Sequence, residues 1–187
     1  MRMVAKDKVW TVDDLATLPD DGMQYEIIDG ALFVTPAPVW QHGDAVLSLA
    51  RLLDPYLSTH ALGHLKVAPQ DVPFDTHNVV EPDLFVVPLV NGRRPRTWDE
   101  VGRLLLAVEV LSPSTARKDR VAKRSLYQRY GVPEYWLVDV DGGVVERWRP
   151  CDERPEILTD RLEWQPSVEH TPLSIDLIAY FRDGRGE

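Results

Sequence analysis

Apolar residues along the chain follow two spacings. Between Trp40 and Leu57 the residues Val46, Leu49, Ala50, Leu53 and Leu57 fall three or four apart, the mark of one helical face. His42, four residues before Val46, shares that face. Elsewhere the apolar runs are short and bounded by turn formers, which reads as strand. YEIIDGALFVTP holds two such runs around Asp29-Gly30, a tight hairpin signal that places Glu26 on the first strand. A short helix around DDLATL, capped by Thr11, precedes it. GHLKVAPQDVPFD reads as another strand, and Pro82-Asp83 opens the run LFVVPLV into the core. Residues 91–103 form a basic, turn-rich connection before LLLAVEVL, a continuous apolar strand of the kind covered on both faces. Ser112 to Thr115 offer caps for a helix from Ala116 to Tyr130, which stops at Gly131 and Pro133. EYWLVDV follows and Asp141-Gly142 turns it back into VVERWRP. PLSIDLIAYF is a short helix or strand docking on the body. Strand, basic loop, strand, helix, strand is an α/β order whose central strands carry the acidic residues.

No repeat, low-complexity stretch or linker divides the chain, so one domain over residues 1–187 is expected, large enough to bury roughly 70% of its unfolded surface. No apolar run reaches the roughly 20 residues that span a bilayer. MRMVAKDKVW lacks the apolar core of a signal peptide, and a cytoplasmic protein without membrane contact is expected. The single cysteine, Cys151, excludes an intramolecular disulfide and a cysteine-rich zinc site. Asp152 and Glu153 beside it do not favour a thiolate, and it reads as an incidental thiol.

The net charge of −9 argues against general affinity for nucleic acid. Its distribution changes the picture. Residues 91–131 carry ten basic and four acidic side chains, a local +6 that surrounds Glu109. Glu109 is the anomaly, a carboxylate inside an apolar strand, and burial obliges it to have a partner. Asp83, at the start of the preceding core strand, meets it if the two strands pair. Two carboxylates about 4 Å apart repel by roughly 4 kcal/mol at an effective dielectric of 20. Glu26 would add a third charge, and a divalent cation with oxygen ligands is the economical remedy. Such an ion can activate water against a phosphodiester, assisted by a lysine. Lys123 is the candidate, because Asp119, Lys123, Tyr127 and Tyr130 form one helical stripe.

Plainer readings stand beside these. Glu109 also fits a strand-end carboxylate paired with an arginine, Asp83 a turn residue, Glu26 the polar face of a hairpin and Lys123 a solvated helix position. His42 also fits a core or cap residue, and Tyr127, Tyr130, Tyr135 and Trp136 fit the core. The pair Asp83 and Glu109 alone would serve a glycosidase as acid and base.

Pro82-Asp83, VEVLSPST around Glu109, and DRVAKRSLYQRYGVPEYWLVD together resemble the Uma-type restriction endonuclease family of the PD-(D/E)XK nuclease superfamily. The likeness is most specific from about Glu81 to Asp139, and YEIIDG and the His42 region extend it. It implies a restriction-endonuclease-like core, a mixed central sheet flanked by helices, with a Mg²⁺-dependent (or Mn²⁺-dependent) site that hydrolyses DNA phosphodiesters, and a homodimer. Asp83 and Glu109 would be metal ligands, Val110 would add its backbone carbonyl, and Glu26 would ligate metal or hold its water. Where the superfamily places its lysine this chain has Leu111, and the Uma-type position on the following helix is Lys123. His42 would support the site, with Tyr127 beside Lys123 on its stripe. Arg117, Lys118, Arg120 and Arg124 are phosphate-contact candidates. The contrasting expectation is a fold retained without catalysis, as a nucleic-acid-binding or oligomeric module.

Overall fold

The computed structural model describes residues 2–4, 8–37 and 39–186. The N-terminal half builds a five-stranded sheet in the order β1 (Arg2–Val4), β3 (Ala31–Pro36), β2 (Met23–Ile28), β6 (Asn78–Val80), β5 (Val72–Asp75). β2 and β3 are the expected hairpin, with Asp29 and Gly30 both at positive φ in its turn. Before it lies α1 (Val12–Leu15), where Asp14 accepts from the backbone N–H of Thr11 at 2.9 Å. The six-stranded sheet takes the order β11 (Glu156–Leu158), β10 (Val144–Trp148), β9 (Tyr135–Asp139), β8 (Leu106–Val110), β7 (Leu84–Val87), β4 (His64–Val67). All its pairings are antiparallel except β8 with β9, which makes the sheet mixed. GHLKVAPQDVPFD is not one strand: its halves are β4 and β5, in different sheets.

All five residues of β8 are buried, as a strand covered on both faces requires. On one face Leu84, Val86, Leu106, Val108, Trp136 and Val138 pack against Leu49, Leu53 and Leu57 of α2 (Trp40–His60). The same layer takes in Leu177, Tyr180 and Phe181 of α5 (Leu177–Gly184). PLSIDLIAYF is both structures in turn: β13 (Leu173–Asp176), paired with β12 (Arg161–Trp164), then α5, whose N-cap Asp176 accepts from Ala179 N–H at 3.0 Å. On the other face Phe85, Val87, Ala107, Tyr135 and Leu137 meet Ile28, Val72 and Val80 of the smaller sheet, together with Leu126 and Tyr127.

Leu126 and Tyr127 come from a helix in three registers: α3 (Ala116–Lys118), a π-helical segment (Asp119–Lys123) and α4 (Arg124–Arg129). The expected single helix is present, with a wider turn inside it. In a regular α-helix, residues five apart stand about 140° apart around the axis. Closing a turn by i→i+5 bonds brings them towards one side, here Lys118 and Lys123, both buried.

Gly63 joins α2 to β4 where a Cβ would lie 2.8 Å from both Val86 Cγ1 and the Val87 carbonyl oxygen. The backbone oxygen cannot rotate away. Gly63→Ala is expected to destabilise the protein by about 1–3 kcal/mol, measured as a lowered midpoint of urea unfolding.

Candidate active site

The chain passes from the smaller sheet into the larger at Glu81-Pro82-Asp83, between β6 and β7. β7 and β8 pair with Leu84 opposite Val108, so one further residue of the same register sets Asp83 opposite Glu109. Directly opposed residues project to the same side of a sheet. Asp83 Oδ2 accepts from the Val110 backbone N–H at 2.7 Å and contacts His42 Nε2 at 3.0 Å. Burial alone would lower the His42 pKa, but the hydrogen bond and charge of Asp83 outweigh it and the net direction is upward. The helical face that packs α2 on the sheet thereby delivers its first turn to the carboxylate.

Glu109, 4% exposed, has its partners on the helix. Lys123 Nζ donates to Glu109 Oε1 at 2.6 Å and Tyr127 Oη donates to the same oxygen at 3.2 Å. Lys123 Nζ is also 2.6 Å from Glu26 Oε1 and 3.4 Å from the Glu81 carbonyl oxygen. Glu26 Oε1 accepts from the Glu81 backbone N–H at 2.8 Å, and Glu26 Oε2 pairs with Lys118. Burial opposes the charge of Lys123, and the facing carboxylates of Glu109 and Glu26 reverse that and hold it protonated. Glu26, although buried, is drawn down to about 2 by the two ammonium groups. For Glu109 burial dominates and the direction is upward, reinforced by Asp83, Asp119 and Glu26.

These groups open on a cavity of about 260 Å³. Its walls are Gln24 and Thr35 from the hairpin, His42 from α2, Glu81, Asp83, Glu109 and Val110 from the strands, and Ser112 to Thr115, Lys118 and Lys123 from the helix and its lead-in. Four carboxylates (Glu26, Asp83, Glu109, Asp119) gather with two lysines. Asp119 Oδ1 is buried without a hydrogen-bond partner, 4.0 Å from Lys118 Nζ. Among the described residues the hydrogen bonds to Asp83 fall on Oδ2 and those to Glu109 on Oε1, which leaves Asp83 Oδ1 and Glu109 Oε2 for another ligand. Mg²⁺ is held by one or two protein carboxylates and keeps several waters. This donor set fits it. Among the described residues no three His, Cys, Asp or Glu side chains form a ready-made cage. Glu26 has both oxygens on lysines, so it stands as the anchor of Lys118 and Lys123, not as an open ligand.

The expected phosphate contacts separate. Lys118, 4% exposed, is buried against Glu26 and does not present a surface charge. Arg120 binds Glu146 at 2.7 Å and lies 3.6 Å from Asp139, while Arg124 binds Gln128 at 2.9 Å and covers the Trp148 ring. Arg117 is exposed. Tyr135 and Trp136 are core, as expected, and Tyr130 is half-buried against Phe74. Sequence reasoning missed Gln24, Thr35 and Glu81. Gln24 lies two residues before Glu26, on the same strand face, and pairs in register with Thr35. Glu81 adjoins the Pro82-Asp83 motif and accepts from Gln24 Nε2 at 2.7 Å.

A crystal structure of a "putative nuclease belonging to DUF820" from Anabaena variabilis superposes with a TM-score of 0.72 at 19% identity, covering 93% of this chain and 98% of that one. That likeness shows the fold: an α/β core with a mixed central sheet flanked by helices. The profile of the Uma2 family, described as "Putative restriction endonuclease", matches residues 12–177. The chain belongs to the Uma2 family. Comparison with curated proteins finds no match. No helix among the described residues is long and apolar enough to cross a membrane.

Because the folded pKa of Glu26 is depressed from 4.5 to about 2, its contribution to stability is complete above about pH 4.5 and is lost as pH falls through that window. Glu26→Gln leaves two buried ammonium groups without their shared partner and is expected to cost about 3–5 kcal/mol at neutral pH. Chemical denaturation at pH 7 and pH 3 should find the difference between wild type and variant smaller at pH 3.

Proposed function

We propose that this protein is a metal-dependent endonuclease that hydrolyses phosphodiester bonds of DNA. The observation that carries the reading is the convergence of Asp83, Glu109, Val110 and Lys123 on one cavity. Family membership supports the class of reaction. Asp83 and Glu109 would hold Mg²⁺ or Mn²⁺ with the Val110 carbonyl. Bound there, the ion would lower the pKa of a coordinated water and offset charge on the phosphate. Lys123 faces the same space and stabilises negative charge gathering on the phosphoryl oxygens. Glu26 fixes the Lys123 amine. His42 holds Asp83 Oδ2 and so turns Oδ1 to the cavity, while Tyr127 orients Glu109. Water adds to phosphorus as the ester P–O bond breaks; of its two protons one ends on the departing oxygen, giving a free hydroxyl, and the other passes from the phosphomonoester to solvent. A homodimer, one site for each strand, belongs to the same proposal.

A second reading, a nuclease fold retained as a nucleic-acid-binding or oligomeric module, draws on the net charge of −9 and on the internal pairing of Lys118, Arg120 and Arg124. Nicking of supercoiled plasmid separates the two. With Mg²⁺ the wild type should nick, chelator should abolish nicking, and Asp83→Ala and Lys123→Met should each lower the rate by about 10²-fold or more. Calorimetric Mg²⁺ binding should be lost in Asp83→Ala. DNA binding without nicking in Mg²⁺ or Mn²⁺ would establish the module instead.

A further inference from the structure

Of the six tryptophans, Trp136, Trp148 and Trp164 are buried and Trp10 and Trp98 half-buried, but Trp40 is 93% exposed. A tryptophan is among the most costly side chains to leave in water and is highly buried on average. Trp40 opens α2, directly after Val39, which is 70% exposed and lines the cavity that holds Asp83 and Lys123. Thr115 and Lys118 also line the cavity, and exposed Arg117 lies between them in the chain, with no ion pair on its guanidinium among the described residues. Trp40 and Arg117 are thus each the chain neighbour of residues that line one cavity.

The pairing suits a nucleotide: the aromatic ring offers a platform for a base and the arginine a contact for its phosphate. In a duplex the base faces are already stacked on one another. An indole can take only a base that is unpaired or turned out of the helix. Stacking also supplies affinity without counterion release, which suits a chain of net charge −9. We propose that Trp40 is the stacking platform for an unpaired base beside the cavity, so that the substrate class is single-stranded or locally unpaired nucleic acid. The inference deepens the hydrolytic reading and rests on it for the position of the strand.

Because Trp40 is nearly fully solvated, its replacement leaves the core intact. The intact protein, titrated in Ca²⁺ with a twelve-residue oligothymidylate, should show tryptophan emission quenched on binding, and Trp40→Phe should remove most of that quenching. Trp40→Ala should weaken binding of the labelled strand by about 10-fold in fluorescence anisotropy. A blunt duplex of equal length should bind more weakly and quench little. Unchanged quenching in Trp40→Phe, or equal binding of duplex and single strand, overturns the proposal. Plasmid nicking run in parallel keeps the two readings apart: nicking without Trp40-dependent quenching sinks this inference alone, and quenching without nicking sinks hydrolysis alone.

Discussion

The structure around the site depends on one buried ammonium, that of Lys123, held between Glu109 of the larger sheet and Glu26 of the smaller. Lys123 is 1% exposed, and an unpaired charge at such a depth is strongly unfavourable. Its two partners therefore have to come to it. One closes the helix onto β8 and the other closes the hairpin onto the helix. The chain between the sheets, Glu81 to Asp83, is drawn into the same contact through the Glu81 carbonyl oxygen and backbone N–H. A single cation so ties together three elements distant in sequence, at the point where the carboxylate of Asp83 enters.

A cluster of this kind is a poor way to gain stability, since well-packed apolar residues of the same volume often do as well or better. What it provides is position. Four carboxylates gather with only two lysines, so ionising all four would leave negative charge in excess, and the orphaned Asp119 oxygen adds to a field that favours a divalent cation. The π-helical turn is part of the same arrangement, because it brings Lys118 and Lys123 to opposite oxygens of Glu26. Wide turns of this type concentrate where a side chain has to be placed against the regular helical repeat. Local rules are broken here together: a charged residue inside an apolar strand, lysines under the surface, and an interrupted helix.

Much of this was legible from residues alone. The two apolar strands LFVVPLV and LLLAVEVL were visible as runs joined by a turn-rich connection; that they pair, and so oppose Asp83 to Glu109, stood only as a condition until the register supplied it. The helical face carrying His42 was visible in the spacing of Val46, Leu49 and Leu53. The burial of Lys118 was not, because a lysine between Arg117 and Asp119 looks like any solvated helix position until the turn widens. Nor was the internal use of Arg120 and Arg124, whose partners Glu146 and Trp148 lie beyond a strand and a turn. GHLKVAPQDVPFD reads as one strand because periodicity reports exposure, and both halves lie in sheets. Which sheet each half joins is decided by long-range pairing that no local window contains.

Net charge misleads for the same reason. Counting every lysine and arginine assigns them all to the surface, whereas the basic residues nearest Glu109 are spent on internal carboxylates. The field at the cavity is then set by an acidic cluster with two embedded ammonium groups, and a polyanion is repelled from it until a cation is present. On the proposed reading, affinity for a nucleic acid at such a site would come from a cation held there and from contacts that do not depend on charge. The solvated indole of Trp40 is a contact of the second kind, which makes its exposure at the first residue of α2 intelligible beside an acidic cavity.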